Sequence, residues 1–203
     1  MSDPLRIVVW PGMPDRAGLD RAAEAIGRRL EIAVISANED LERLLEREGP
    51  WDLITPSDYL VEKLAAAGRL AELDPRGELD RDQLAGWSRR PGYDPEERWS
   101  WPLAFGTTGL LYDRAAVESP SWAAFFAPAD GVAVGLLAEV REVVGAALIA
   151  RGHSPNAADP AALAAARELL DRQRPAVRSV SSDDFTGPVE RREVAMHHAW
   201  SGP

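Results

Sequence analysis

Two pairs of residues in this chain have the types and spacing to do chemistry. Glu139 and Glu142 stand three residues apart, a spacing that puts both carboxylates on one face of a helix. Such a pair can act as acid and base, or accept hydrogen bonds from one ammonium group. No companion pattern completes a catalytic set. The nucleophile elbow GxSxG is absent, and so are both glycine-rich phosphate loops, GxGxxG and GxxxxGK[ST]. A plain solvated helix face also accounts for the pair, with Arg141 and Glu168 as charged neighbours. The second pair is His197 and His198. Neighbours on a strand point to opposite faces, so these two cannot share one ion. His153 is the third histidine and cysteine is absent, so no metal site, zinc-thiolate site, disulfide or thiol chemistry is expected. The expectation is one imidazole packed inward and one facing out.

Aromatic residues and hydroxyls form a third group. The seven tryptophans include Trp10 at the end of an apolar run and Trp200 at the end of another. In "DLITPSDYLVEKL" (52–64) an apolar run meets Pro56, and Ser57 and Tyr59 then open a helical pattern, with Ser57 as its expected cap. Trp10, Ser57, Tyr59, Glu139, Glu142 and Trp200 all fall at strand ends or helix starts. Open α/β sheets bind ligands beyond the carboxyl ends of their strands. Aromatic faces combined with carboxylates suit an organic cation.

The elements that must position these residues are legible from hydrophobic period. "LRIVVW", "EIAVIS" and "WDLIT" are short apolar runs that predict buried strands. Between them lie helical stripes, one over 16–30 (Leu19, Ala22, Ala23, Ile26, Leu30) and one over 38–47 (Leu41, Leu44, Leu45) capped by Asn38. Gly49-Pro50 ends the second stripe, and Gly68 ends the helix that Ser57 opens. Three strand–helix units in a row imply a mainly parallel sheet covered on both faces. Residues 69–100 are polar and rich in Pro and Gly, with one short helix near 80–87. "WPLAF" (101–105) and "GTTGLLYD" (106–113) restore order, and a short helix follows near Trp122. "GVAVGLL" predicts a strand and 139–151 a helix. Asp159-Pro160 caps the next helix, with proline at its first position. "AVRSV" and "EVAMHHAW" predict the last two strands.

The 203 residues suffice for one large domain or two small ones, and an apolar content of 45% with 28% charged residues is that of an ordinary globular chain. The balance of 23 basic against 33 acidic residues, a net charge of -10, argues against a nucleic-acid partner, which needs a basic face. No apolar run is long enough to span a bilayer. "MSDPLRIVVW" enters a strand directly, without a basic start or an apolar export segment. The compartment stays open between cytoplasm and exterior on this ground.

In their order along the chain, the segments resemble the solute-binding proteins of ABC transporters, specifically the spermidine/putrescine-binding group. "WDLITPSDYLVEKLAAAGRLAELD" resembles that group's strand ending in Pro-Ser, its Tyr-containing helix and its Gly-lipophile-lipophile-x-x-Asp turn. "WSWPLAFGTTGLLYDRAAV" is similar to its crossing segment, and "SPSWAAFF" to its Ser-Trp helix. "AEVREVVGAALIARGHSPNAADPAALAAARELL" resembles its second-lobe helix pair, and "EVAMHHAWSG" the strand that closes in Trp-x-Gly.

The resemblance implies an α/β fold of the type II periplasmic-binding-protein kind, with two lobes built on mainly parallel sheets flanked by helices. The first lobe would cover 1–105 and the second 106–203, joined by a hinge, with solute held between them. It implies binding and not catalysis: a small cationic solute, a polyamine such as spermidine or putrescine, passed to ABC permease subunits in the membrane, with no cofactor. A periplasmic or extracytoplasmic location follows by resemblance. Trp10 and Trp200 would supply aromatic walls, Ser57 and Tyr59 polar contacts, and Glu139 and Glu142 an acidic pair for an ammonium group. Met13 stands where an aromatic is usual, and His197-His198 where small and apolar residues are expected. The family continues well beyond the position of Pro203, so a fragment lacking the return segment of the first lobe is expected, with an uncovered sheet edge and apolar surface. Three alternatives stay open: a sensor or interaction protein on the same lobes, a binder of a different small solute, and an enzyme using Glu139 and Glu142.

Overall fold

The computed structural model describes residues 3–47, 49–73 and 80–201. The chain divides into two compact units, Met1–Phe105 and Gly106–Pro203. Each is an α/β unit with its own sheet and core.

In the first unit, β1 (Leu5–Val9) lies between β2 (Leu30–Val34) and β3 (Leu53–Ile54), and all three are parallel. Parallel neighbours demand crossover connections, and α1 (Arg16–Ile26) and α2 (Asn38–Arg47) provide them. The first helix ends four residues before Leu30, which instead begins β2, because Gly27 takes a left-handed conformation (φ 63°) and closes the helix. Asp15 caps its other end by accepting from the Gly18 backbone N–H at 2.7 Å. One face of the sheet is well packed: Val8, Ile35, Leu41, Leu60 and Leu64 form a buried cluster with α2 and α3 (Asp58–Ala66). The α1 side is thinner. That helix buries none of its residues, and Ile26, Val34 and Leu53 remain 51%, 61% and 54% exposed. Apolar side chains left this wet forgo the burial that holds most amphipathic helices in place.

The loop that follows α3 carries more order than its composition predicts. Two short 3-10 turns, Arg81–Gln83 and Gly86–Ser88, replace the single expected helix. Asp94, 2% exposed, accepts hydrogen bonds from the backbone N–H groups of Arg98, Trp99 and Ser100 and from the Ser100 hydroxyl, at 2.9–3.0 Å. One carboxylate thereby organises seven residues of chain. "WPLAF" is not a strand: no ladder pairs with it among the described residues, and Leu103 and Phe105 are exposed. The resembled crossing segment would be a strand here, but a strand requires a neighbour to receive its N–H and C=O groups. Asp74 of the Gly-lipophile turn and Gly202 of the Trp-x-Gly ending lie outside the described residues.

The second unit has four strands in the order β4-β7-β5-β6, where β4 is Thr108–Tyr112, β5 Val134–Leu136, β6 Val177–Val180 and β7 Met196–Trp200. The pairs β7–β5 and β5–β6 are parallel and β4–β7 is antiparallel. Helices α4 (Trp122–Phe126), α5 (Val140–Ala150) and α6 (Pro160–Gln173) supply a core of Phe125, Phe126, Ala146, Ala147, Leu148, Ala166 and Leu169 against Val134 and Met196. Small alanines on α5 and α6 let those helices approach closely, and each of the two fully buried phenylalanines contributes about 1.5–3 kcal/mol by burial. Asp159 caps α6 as its sequence predicts, accepting from the Ala162 N–H at 2.9 Å, with Pro160 in the first turn. A fourth short helix, α7 (Gly187–Glu190), was not expected from the sequence.

Candidate functional site

The candidate residues occur as one set in each unit. In the first, Trp10 follows β1 directly and its indole N–H donates to the Thr55 carbonyl at 2.7 Å, fastening the carboxyl ends of β1 and β3 together. Ser57 and Tyr59 open α3 just beyond. Ser57 holds the cap position, but its hydroxyl caps nothing. It accepts from the Asn38 side-chain amide at 2.8 Å, and the Ser57 backbone N–H donates to Asn38 Oδ1 at 3.0 Å. Asn38 in turn does not cap α2: it is the first residue within that helix and is 4% exposed. The two expected caps are therefore corrected together. Each residue finds a better partner in the other, because α2 and α3 start side by side at the same end of the sheet. Tyr59 is half-buried against the Leu41–Leu60 cluster.

In the second unit, Glu139 occupies the cap position of α5 and Glu142 its first turn. The solvated face that Arg141 and Glu168 seemed to indicate does not describe Glu139, which is 4% exposed. Those two charges look elsewhere: Arg141 donates to Asn156 Oδ1 at 2.9 Å, and Glu168 faces Arg172 at 3.6 Å. Glu142 accepts from the Thr108 hydroxyl at 2.6 Å, a charge-assisted bond of the stronger kind. Thr108 is the ladder partner of Trp200. Glu142, Thr108 and Trp200 thus meet at one end of the second sheet, beyond the carboxyl end of β7. Phe185 stands edge-on to Trp200 with ring centroids 6.1 Å apart. Thr108 and Phe185 were missed by sequence reasoning. The first lay within the quoted "GTTGLLYD", but nothing local marks one threonine of two as the partner of a glutamate 34 residues away.

The histidines correct a further expectation. They do point to opposite faces of β7, but both are 0% exposed, because β7 is an interior strand with both faces covered. Burial lowers the His197 pKa from its ordinary value and pushes that of His198 down to about 4, where the neighbouring His197 adds to the effect. Among the described residues no cluster of three or more His, Asp or Glu could hold a metal ion.

No protein-family model matches the chain. Among curated proteins it is 31% identical to spermidine/putrescine-binding periplasmic protein 1 of Haemophilus influenzae, over 99% of this chain and 58% of that protein. It is 26% identical to the spermidine/putrescine-binding periplasmic protein of Salmonella typhimurium, over 99% of this chain and 59% of the relative. The chain therefore spans somewhat more than half the length of these relatives. Among solved structures, a spermidine/putrescine ABC transporter protein described as putative, from Listeria monocytogenes, superposes with a TM-score of 0.89 at 25% identity, covering 99% of this chain and 63% of that one. These names are those of substrate-binding proteins and not of enzymes. Among the described residues no helix is long and apolar enough to cross a membrane. Along nearly its whole length the chain is similar in sequence to proteins named as spermidine/putrescine-binding periplasmic proteins, and in fold to a structure described as a spermidine/putrescine ABC transporter protein.

Proposed function

We propose that the chain belongs to a protein that captures a small cationic solute, a polyamine of the spermidine or putrescine kind, outside the cytoplasm and delivers it to an ABC permease. The role is binding and not catalysis. What carries this reading is the acid–aromatic arrangement at one end of the second sheet. There Glu142, oriented by Thr108 and preceded three residues earlier by Glu139, stands near the position of Trp200. A carboxylate takes an ammonium group by charge-assisted hydrogen bonds, and an indole face adds cation–π attraction. The names of the curated relatives support the choice of ligand. Trp10, Ser57 and Tyr59 would serve as the first unit's contacts, a second aromatic wall and two hydroxyls.

The test is calorimetric titration with spermidine and with putrescine, on this chain and on a version extended to the length of its curated relatives. Saturable binding is expected in the extended version. Glu142→Gln or Trp200→Ala should weaken it by about ten- to hundredfold, the effect of losing one charge-assisted contact. No binding of any polyamine by either version overturns the ligand assignment. Binding that is indifferent to both substitutions overturns the site.

A further inference from the structure

Strand β7 carries Trp200 at one end and two buried imidazoles in its middle, and their surroundings differ. His198 faces α4. Its ring stands edge-on to Trp122 at 5.4 Å and tilted to Phe125 at 6.3 Å. Its ladder neighbour on β4 is Leu110, and neither ring nitrogen has a hydrogen-bond partner. The charge-bearing group that acts on it is His197 on its own strand; the other ionisable groups on its side of the sheet are Tyr112, two residues from Leu110 on β4, and Glu142 of α5, bonded to Thr108. His197 occupies the other face. Its Nδ1 lies 2.6 Å from the His198 carbonyl oxygen, which requires the proton on Nδ1, and its Nε2 lies 3.4 Å from the Ser179 hydroxyl. To reach β6 the ring crosses over Gly135 of β5: His197, Gly135 and Ser179 form one register row, and a Cβ at Gly135 would overlap the imidazole. The charged group facing His197 is Asp184, from the segment after β6.

We infer that the His197–His198 pair is an acid-sensitive clasp: β7 holds Trp200 in its ligand-binding position only while both imidazoles are neutral, and acid loosens the strand and releases bound solute. The reasoning is one of burial. A charged imidazolium at His198 would sit among rings and a leucine with no acceptor for either N–H, so it can gain its charge only by leaving that site. The strand cannot shift without moving Trp200 two residues away, or its partner Thr108, which orients Glu142. His197 is the less sensitive member, since Asp184 partly compensates its charge. The direction follows from proton binding. The unfolded chain takes up a proton near pH 6.5 and the folded chain only near pH 4, so stability is complete above the upper value and falls as pH drops between the two.

The ligand part of this inference rests on the proposed function; the clasp itself does not. The experiment has two arms. In the first, urea unfolding is followed without solute across the window from pH 6.5 to about 4, for the wild type and His198→Leu. The wild-type folded-to-unfolded ratio should fall by about a hundredfold more than that of His198→Leu. Equal pH dependence in the two proteins overturns the clasp. Should the variant not fold, the His198 ring-proton NMR signal of the wild type decides: titration near 6.5 in the folded state overturns it, and absence of titration down to the onset of unfolding supports it. In the second arm, spermidine is titrated at neutral and acidic pH into the version extended to the length of the curated relatives. Binding at neutral pH that weakens through the same window supports coupled release, and pH-independent binding overturns it. No binding at neutral pH overturns the polyamine reading instead, and leaves the first arm to decide the clasp.

Discussion

Gly135→Ala is the smallest change that should have a large effect in the second unit. It adds one methyl group, and on an ordinary strand it would be mildly favourable. Here the added Cβ would fall inside the His197 ring. The ring cannot retreat cheaply. It is 0% exposed, and both of its nitrogens are engaged, with the His198 carbonyl and with the Ser179 hydroxyl. Overpacking of this kind costs about 1–3 kcal/mol, and displacement of the two hydrogen bonds about 1 kcal/mol each. The total, about 3–5 kcal/mol, is a large share of the stability of an ordinary domain. The assay is urea unfolding at neutral pH, comparing wild type, Gly135→Ala, His197→Ala and the double variant. With the ring removed the added methyl occupies vacated space, so the double variant should be at least about 1 kcal/mol more stable than the sum of the single losses implies. A Gly135→Ala protein within about 0.5 kcal/mol of wild type, or strictly additive losses, would refute the reasoning.

Three further outcomes are expected. Asp94→Ala removes the acceptor for three backbone N–H groups and one hydroxyl; it should cost about 2–4 kcal/mol and open 94–100 to limited proteolysis, whereas unchanged cleavage would mean the loop is held by other contacts. Asn38→Ala and Ser57→Ala should each cost about 1–2 kcal/mol and should be strongly non-additive, since the two side chains serve each other; a double-mutant cycle measures this, and additive losses would return Ser57 to simple capping. Asp159→Ala should lower stability by about 1 kcal/mol through loss of the α6 cap, with Asp159→Asn or Asp159→Ser recovering most of it; thermal unfolding of the three variants is the check.

Several features were fixed by local chemistry and could be read directly. The β-branched runs of β1 and β2 and the Asp159-Pro160 start of α6 depend on residues within a few positions of each other, whereas an apolar stripe running on to Leu30 hid the glycine that ends α1. Their order along the chain was enough to carry the fold and the resemblance. The positions of Trp10, Ser57, Tyr59, Glu139, Glu142 and Trp200 at strand ends and helix starts were legible for the same reason. What each side chain touches was not. Ser57 and Asn38 were each read as caps because capping is the local use of those residues, but the packing of α2 beside α3 offered a reciprocal pair instead.

The same limit governs the rest of the second unit. Nothing near Glu142 in sequence names Thr108 as its donor, and nothing near His197 names Gly135 as the gap it crosses. Both follow from which strands lie side by side. The sequence by itself determined that two adjacent histidines on a strand face opposite ways, because that alternation is a property of the backbone. Only the tertiary structure decided that both faces are dry, because burial depends on what the rest of the chain lays over an interior strand.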